Sequence, residues 1–207
     1  MEKDTQATEQ NAVTAHLSTE VASVQPIPAA AGEAAVLAKR LRQGEQAAAT
    51  ELVDRYYQRI YLFMRAVGHD RQISEDLTQE TFIRAWRHIQ QLREGKALSG
   101  WLFRIAGNVS RLHRRRLKGK DSVSIETVEP PAEGIDSSFE AGQQEQRDLV
   151  RQAVQRLPWK LRQAVVLHYM EQLTIAEAAD AAGVHEGTLK SRLNRGLETL
   201  RKEVTNE

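Results

Sequence analysis

Lys190, Ser191, Asn194 and Arg195 fall within one stretch, and a helix from about His185 to Leu200 carries all four on its outward face. Ammonium, hydroxyl, amide and guanidinium groups are the donors and acceptors that bond base edges and phosphates when a helix enters a major groove. The means of holding such a helix lies just ahead of it. Thr174 and Glu177 have capping-box spacing, in which each side chain satisfies a backbone donor left free at a helix start. Ala178, Ala179 and Ala182 are small enough to let a crossing helix approach, and Gly183 permits a tight turn. Val184, Leu189 and Leu193 supply apolar contacts. Residues 174–201 therefore read as a helix-turn-helix, although a plain helical hairpin with a polar face would use many of the same residues.

A second concentration of chemistry lies upstream. Arg104, Arg111, Arg114, Arg115, Arg116, Lys118 and Lys120 form a basic run free of acids, whereas Asp121 to Asp148 is acidic, with Arg147 as its one basic residue. The net charge of +1 hides this segregation, which suits a polyanion-binding surface beside a tether that stays off it. A solvated helix face is the plainer reading of such a run. Other chemistries lack their residues. The six histidines (His16, His69, His88, His113, His168 and His185) form no His-x-x-x-His pair, and there is no cysteine and no phosphate-binding glycine loop. Neither an enzyme, nor a metal site, nor a cofactor is expected. The lack of cysteine suits a reducing cytoplasm, and no apolar stretch approaches the ~20 residues of a membrane span. The amino-terminal residues lack the basic-then-apolar order of a secretory signal.

The elements that must position these groups are helical throughout. Sparse aromatics and abundant Ala, Leu, Arg, Glu and Gln favour helix-on-helix packing, so the expected fold is all-α, with two small helical domains joined by a flexible acidic linker. Residues 1–33 are expected to be a disordered extension, 34–118 the first domain, 119–142 the linker with Pro130 and Pro131, and 143–207 the second domain. Within the first domain a helix from Val36 stops near Gly44. A second places Leu52, Tyr56, Ile60 and Phe63 on one face. A third, from about Ser74, has Leu77, Phe82, Ala85, Trp86 and Ile89 as its buried stripe. A fourth, about Leu98 to Leu117, carries Trp101, Leu102, Ile105 and Val109 on one side. Pro158 is expected to open a helix reaching Met170.

Residues 157–201 closely resemble the fourth-region domain of extracytoplasmic-function sigma factors of the sigma-70 family, down to Gly187-Thr188-Leu189-Lys190-Ser191-Arg192-Leu193. Asp76 to Trp86, DLTQETFIRAW, resembles the second-region helix that grips the clamp of RNA polymerase, and Trp101 to Asn108, WLFRIAGN, resembles the promoter-melting helix. The resemblance implies a sigma region 2 domain and a sigma region 4 domain, acting with core RNA polymerase (its beta-prime clamp and beta subunits), promoter DNA and an anti-sigma factor. It implies a polymerase contact at Asp76, Gln79, Glu80 and Phe82. It implies minus-ten recognition and melting by Arg84, Leu92, Arg93, Lys96, Arg104, Asn108, Arg111 and Arg115. Minus-thirty-five contacts are implied for His185, Lys190, Ser191, Asn194 and Arg195, with His168 reaching the backbone from the preceding helix. The implied location is cytoplasmic, at the nucleoid or held at the membrane by the anti-sigma factor, with no membrane insertion of the chain's own. A helix-turn-helix regulator acting without polymerase is the alternative; it leaves the two amino-terminal motifs without a use.

Overall fold

The structure, a computed structural model, describes residues 31–92, 98–120 and 150–205. Among the described residues every regular element is helical. In chain order these are α1 (Ala31–Arg42), α2 (Gln46–Ala66), α3 (Arg71–His88) with a 3₁₀ turn at Ile89–Gln91, and α4 (Leu98–Lys120). There follow α5, described over 150–156, and α6 (Trp159–Val165), which runs into a π turn at Val166–Met170. Last come α7 (Ile175–Ala182) and α8 (Glu186–Thr205). The expected extension at 1–33 overlaps α1, which starts at Ala31, and the expected linker at 119–142 lies outside the described residues apart from the last two residues of α4.

Local chemistry sets the boundaries. Gly44 and Gly68 hold φ of +77° and +96° in the turns after α1 and α2, a backbone region that L side chains rarely adopt. The α3 helix starts three residues earlier than the apolar pattern suggests. Asp70 caps it, its carboxylate accepting from the Ile73 N–H at 2.7 Å. Pro158 lies at the N-cap of α6 rather than inside its first turn.

The α2 stripe Leu52, Tyr56, Ile60 and Phe63 is buried as its spacing predicts, and Phe63 meets Phe103 of α4 edge-on at 5.6 Å. The α3 stripe is corrected. Leu77, Ala85 and Ile89 are buried, but Phe82 is half-buried, stacked on Tyr57, and Trp86 is 44% exposed. The inward face of α3 instead takes Ser74, Thr78 and Thr81. The Thr78 and Thr81 hydroxyls donate at 2.7 Å to the Ser74 and Leu77 carbonyls, which removes the penalty of burying them. Trp86 follows Ala85 by one residue, about 100° further round the helix. On α4, Leu102 and Val109 are buried and Trp101 and Ile105 partly so, while Phe103 and Ala106 complete the inner face.

The carboxy-terminal helices lie directly on the amino-terminal ones. The α4 and α7 helices cross where α4 carries Gly107, with the Ala181 backbone against it. The tether reading predicts two separate bodies; small residues at this crossing let the described parts of both share one core.

Candidate nucleic-acid interface

The α7–turn–α8 unit carries the polar face that the spacing predicts. Thr174 Oγ1 accepts from the Glu177 N–H at 3.2 Å, and Glu177 Oε2 accepts from the Thr174 N–H at 2.9 Å, closing the capping box. Gly183 takes φ +63°, and the Val184 N–H donates back to Ala179 O at 3.0 Å, which ends α7 and aims α8. Leu189, Leu193 and Leu200 bury the inner side of α8. His185, Lys190, Ser191, Asn194 and Arg195 are exposed on the outer side. The Ser191 hydroxyl donates to Gly187 O at 3.0 Å and keeps lone pairs free to accept. His168 stands apart: its ring is half-buried against Tyr169, with Nδ1 2.8 Å from Leu173 O, so one ring nitrogen serves the π turn.

The α4 helix aligns a second set. Arg104, Asn108, Arg111 and Arg115 recur at steps of four, three and four residues, a single stripe along a helix. Arg104 forms a 3.2 Å ion pair with Asp180 of α7, the Asn108 carbonyl accepts from Arg111, and Arg111 lies against Gly183. Burial, then the neighbouring Arg115, lowers the Arg111 pKa, and Asp180 partly offsets both. Leu92 is 3% exposed and belongs to the core, so its side chain is not open to a base; this corrects its placement in the melting set. Arg93 and Lys96 lie outside the described residues.

A third surface runs along α3. Asp76, Gln79, Glu80, Ile83, Arg84, Arg87 and His88 line a shallow cleft. Arg84, grouped by resemblance with the melting residues, is tied here to Glu80 by two hydrogen bonds of 2.5 and 2.9 Å and shares its face with Asp76 and Gln79. Sequence reasoning missed Ile83, which is 51% exposed. Its position, seven residues after Asp76 and four after Gln79, is the signal that could have found it. Phe82 packs inward on Tyr57 instead.

Two buried groups titrate far from their ordinary range. Glu171, after the π turn, meets the Arg59 guanidinium of α2 at 3.2 Å, yet burial outweighs that cation and pushes its carboxyl up to about 7. His69, 2.8 Å from the Ser110 hydroxyl, is pushed down to about 4, first by burial and then by His113 and Arg114. Among the described residues no group of three or more His, Asp or Glu side chains could hold a metal ion. Among them no helix is long and apolar enough to cross a membrane.

Residues 52–119 match the family described as Sigma-70 region 2, and residues 147–200 match Sigma-70 region 4. The chain is 30% identical over 177 residues to the ECF RNA polymerase sigma factor SigW of Bacillus subtilis, spanning 80% of this chain and 94% of that one. It is 36% identical over 168 residues to the ECF RNA polymerase sigma factor SigE of Mycolicibacterium smegmatis, spanning 76% of this chain and 63% of that one. Its fold is similar to that of the sigma factor RpoE in a co-crystal structure with the anti-sigma factor NepR from Bartonella quintana. That match has a TM-score of 0.60 and 22% identity, and covers 75% of this chain and 96% of the other. With both regions matched in order on a helical scaffold, the chain belongs to the extracytoplasmic-function sigma factors of the sigma-70 family.

Proposed function

We propose that this chain is the promoter-specificity subunit of RNA polymerase, with residues 34–118 and 143–207 as its two working domains and 119–142 as the tether between them. The observation that carries this reading is the outer face of α8, where Lys190, Ser191, Asn194 and Arg195 stand exposed on a helix whose other side is fixed by Leu189, Leu193 and Leu200. A helix so held presents its polar groups to the major groove at the minus-thirty-five element. Arg195 can bond a guanine edge bidentately, and Lys190 neutralises a phosphate.

The α3 face then docks on the beta-prime clamp of core polymerase through Asp76, Gln79 and Glu80, with Ile83 as the apolar contact among them. Arg84 acts from the same face. The α4 stripe engages the minus-ten element: Arg104, Arg111 and Arg115 hold phosphates, and the Asn108 amide offers a donor and an acceptor to an unstacked base. Opening the duplex costs about 1.4 kcal/mol per stacked step. Phosphate contacts and captured bases offset that cost, and the polymerase supplies the chemistry, so the chain itself acts as a non-enzymatic subunit. Work at the nucleoid places it in the cytoplasm. The co-crystal relative bound to an anti-sigma factor supports control of this chain by a protein of that kind, which could also hold it at a membrane.

Run-off transcription with core polymerase on a genomic fragment library tests the reading. New, discrete transcripts that need the added chain are expected. A transcript pattern unchanged by the chain refutes it.

A further inference from the structure

Around the turn between α2 and α3 the structure gathers basic and indole groups for which the promoter reading has no use. Arg162 of α6 is 3% exposed. Its Nη1 donates to Gln155 Oε1 at 3.1 Å, and its Nη2 donates to Leu157 O at 3.0 Å and to Gln155 O. All three acceptors are neutral, and among the described residues no carboxylate pairs with this guanidinium. Burial, then the nearby Arg114, pulls its pKa down to about 10. Arg162 Nη1 also lies where a Cβ on Gly68 would overlap it, so the head group reaches the residue before His69. The His69 ring meets that of His113 on α4 edge-on at 5.4 Å, and the Arg114 guanidinium lies 4.9 Å from the centre of the Trp159 ring.

A buried guanidinium without a counter-ion is costly, and the polar atoms left over around it share one character. Arg162 Nε, Trp159 Nε1 and His113 Nε2 are buried, and none has a hydrogen-bond partner among the described residues. Indole and guanidinium nitrogens only donate, and an imidazole nitrogen donates in one of its tautomers. Asp70, the acid that acts on His69, is exposed and caps α3. Arg162 and the three orphaned donors therefore lack one thing, an acceptor that carries negative charge. We propose that Arg162, Trp159 and His113, with Arg114 at their edge, form a binding site for one small tetrahedral oxyanion, the phosphate group of inorganic phosphate or of a small phosphomonoester. Its oxygens accept from all three donors, and its charge offsets the two guanidinium groups. Arg114 is half-buried and can turn off the indole to admit the ion. The orphaned atoms are too deep for a duplex phosphate, whose sugars cannot follow it in. The site does not depend on the promoter role.

Isothermal titration of the full chain with inorganic phosphate, against sodium chloride of matched ionic strength, reads the site directly. One phosphate should bind per chain, and at ten times its Kd it should raise the melting temperature by about 4 °C. Trp159→Phe keeps a ring under Arg114 and removes one donor, so it should weaken phosphate about tenfold. Arg162→Met should abolish saturable binding. Arg71→Ala, which removes an exposed arginine beside the same turn, should leave the titration unchanged. Glycerol 3-phosphate binding more tightly than inorganic phosphate assigns a phosphomonoester as the occupant, and the reverse order assigns the free ion. Absence of saturable binding with either, or an affinity that Trp159→Phe and Arg71→Ala alter equally, overturns the site. Displacement of bound phosphate by heparin would put the ion on the DNA-facing surface and overturn it as well.

Discussion

Replacing Glu171 by glutamine isolates one buried proton. The carboxyl lies in the core beside Arg59, with Oε2 3.2 Å from Nη2, and burial lifts it from 4.5 to about 7. In the unfolded chain it titrates near the ordinary value. Between about pH 4.5 and 7 the folded protein therefore holds a proton that the unfolded chain lacks, and stability falls as pH rises through that window. A shift of about 2.5 units corresponds to about 3 kcal/mol, fully present below pH 4.5 and lost above about pH 7. Glu171→Gln keeps an acceptor for Arg59 and has no proton to exchange. Subtracting its unfolding free energy from that of the parent chain at each pH cancels every other titrating group, including His69. His69, lowered to about 4, contributes stability above pH 6.5 that is lost on acidification and so slopes the opposite way. Urea titrations at pH 4.5, 5.5, 6.5 and 7.5 measure the difference. The parent chain should gain about 3 kcal/mol relative to the variant between pH 7.5 and pH 4.5. Parallel profiles would show that the carboxyl is not held in a desolvated site, and with that the packing of the π turn on α2 would fail.

Three further outcomes are expected. Lys190→Ala combined with Arg195→Ala should weaken initiation at promoters that have a minus-thirty-five element, and each lost phosphate contact should lower the slope of log affinity against log salt by about one, measured on duplex DNA with the holoenzyme. Thr174→Ala removes the capping box and should cost about 1 kcal/mol in thermal or urea unfolding, with Thr174→Ser restoring most of it. Ile83→Asp, at an exposed position of α3, should leave the melting temperature within about 2 °C of the parent while lowering affinity for core polymerase at least tenfold in a pull-down titration.

Where local chemistry decides, the sequence was legible. Thr174, Glu177 and Gly183 specify a cap and a turn by side-chain type alone, and the α8 outer face follows from helical period. The stripe Leu52, Tyr56, Ile60 and Phe63 was equally plain, because four large apolar groups at that spacing have one way to be buried. Two kinds of feature were not legible. An aromatic beside the stripe predicts a buried Trp86, but Thr78 and Thr81 satisfy their own hydroxyls and fill the inner face of α3, which turns Trp86 outward with Ile83. The crossing of α4 and α7 depends on Gly107 and Ala181, residues far apart in the chain whose meeting is marked only by an absence of side chain, and small residues alone carry no directional pattern. Arg59 on α2 and Glu171 just after the π turn likewise occupy ordinary positions in the sequence, and only tertiary packing makes a buried pair of them.

The most direct test of the central claim is permanganate reactivity of thymines at the minus-ten element of a mapped promoter, with purified core polymerase, the chain, or both. Reactive, unpaired thymines should be present when both are added and missing with either alone. Thymines that stay protected in the complete mixture, on promoters whose use depends on the chain in cells, would contradict the account.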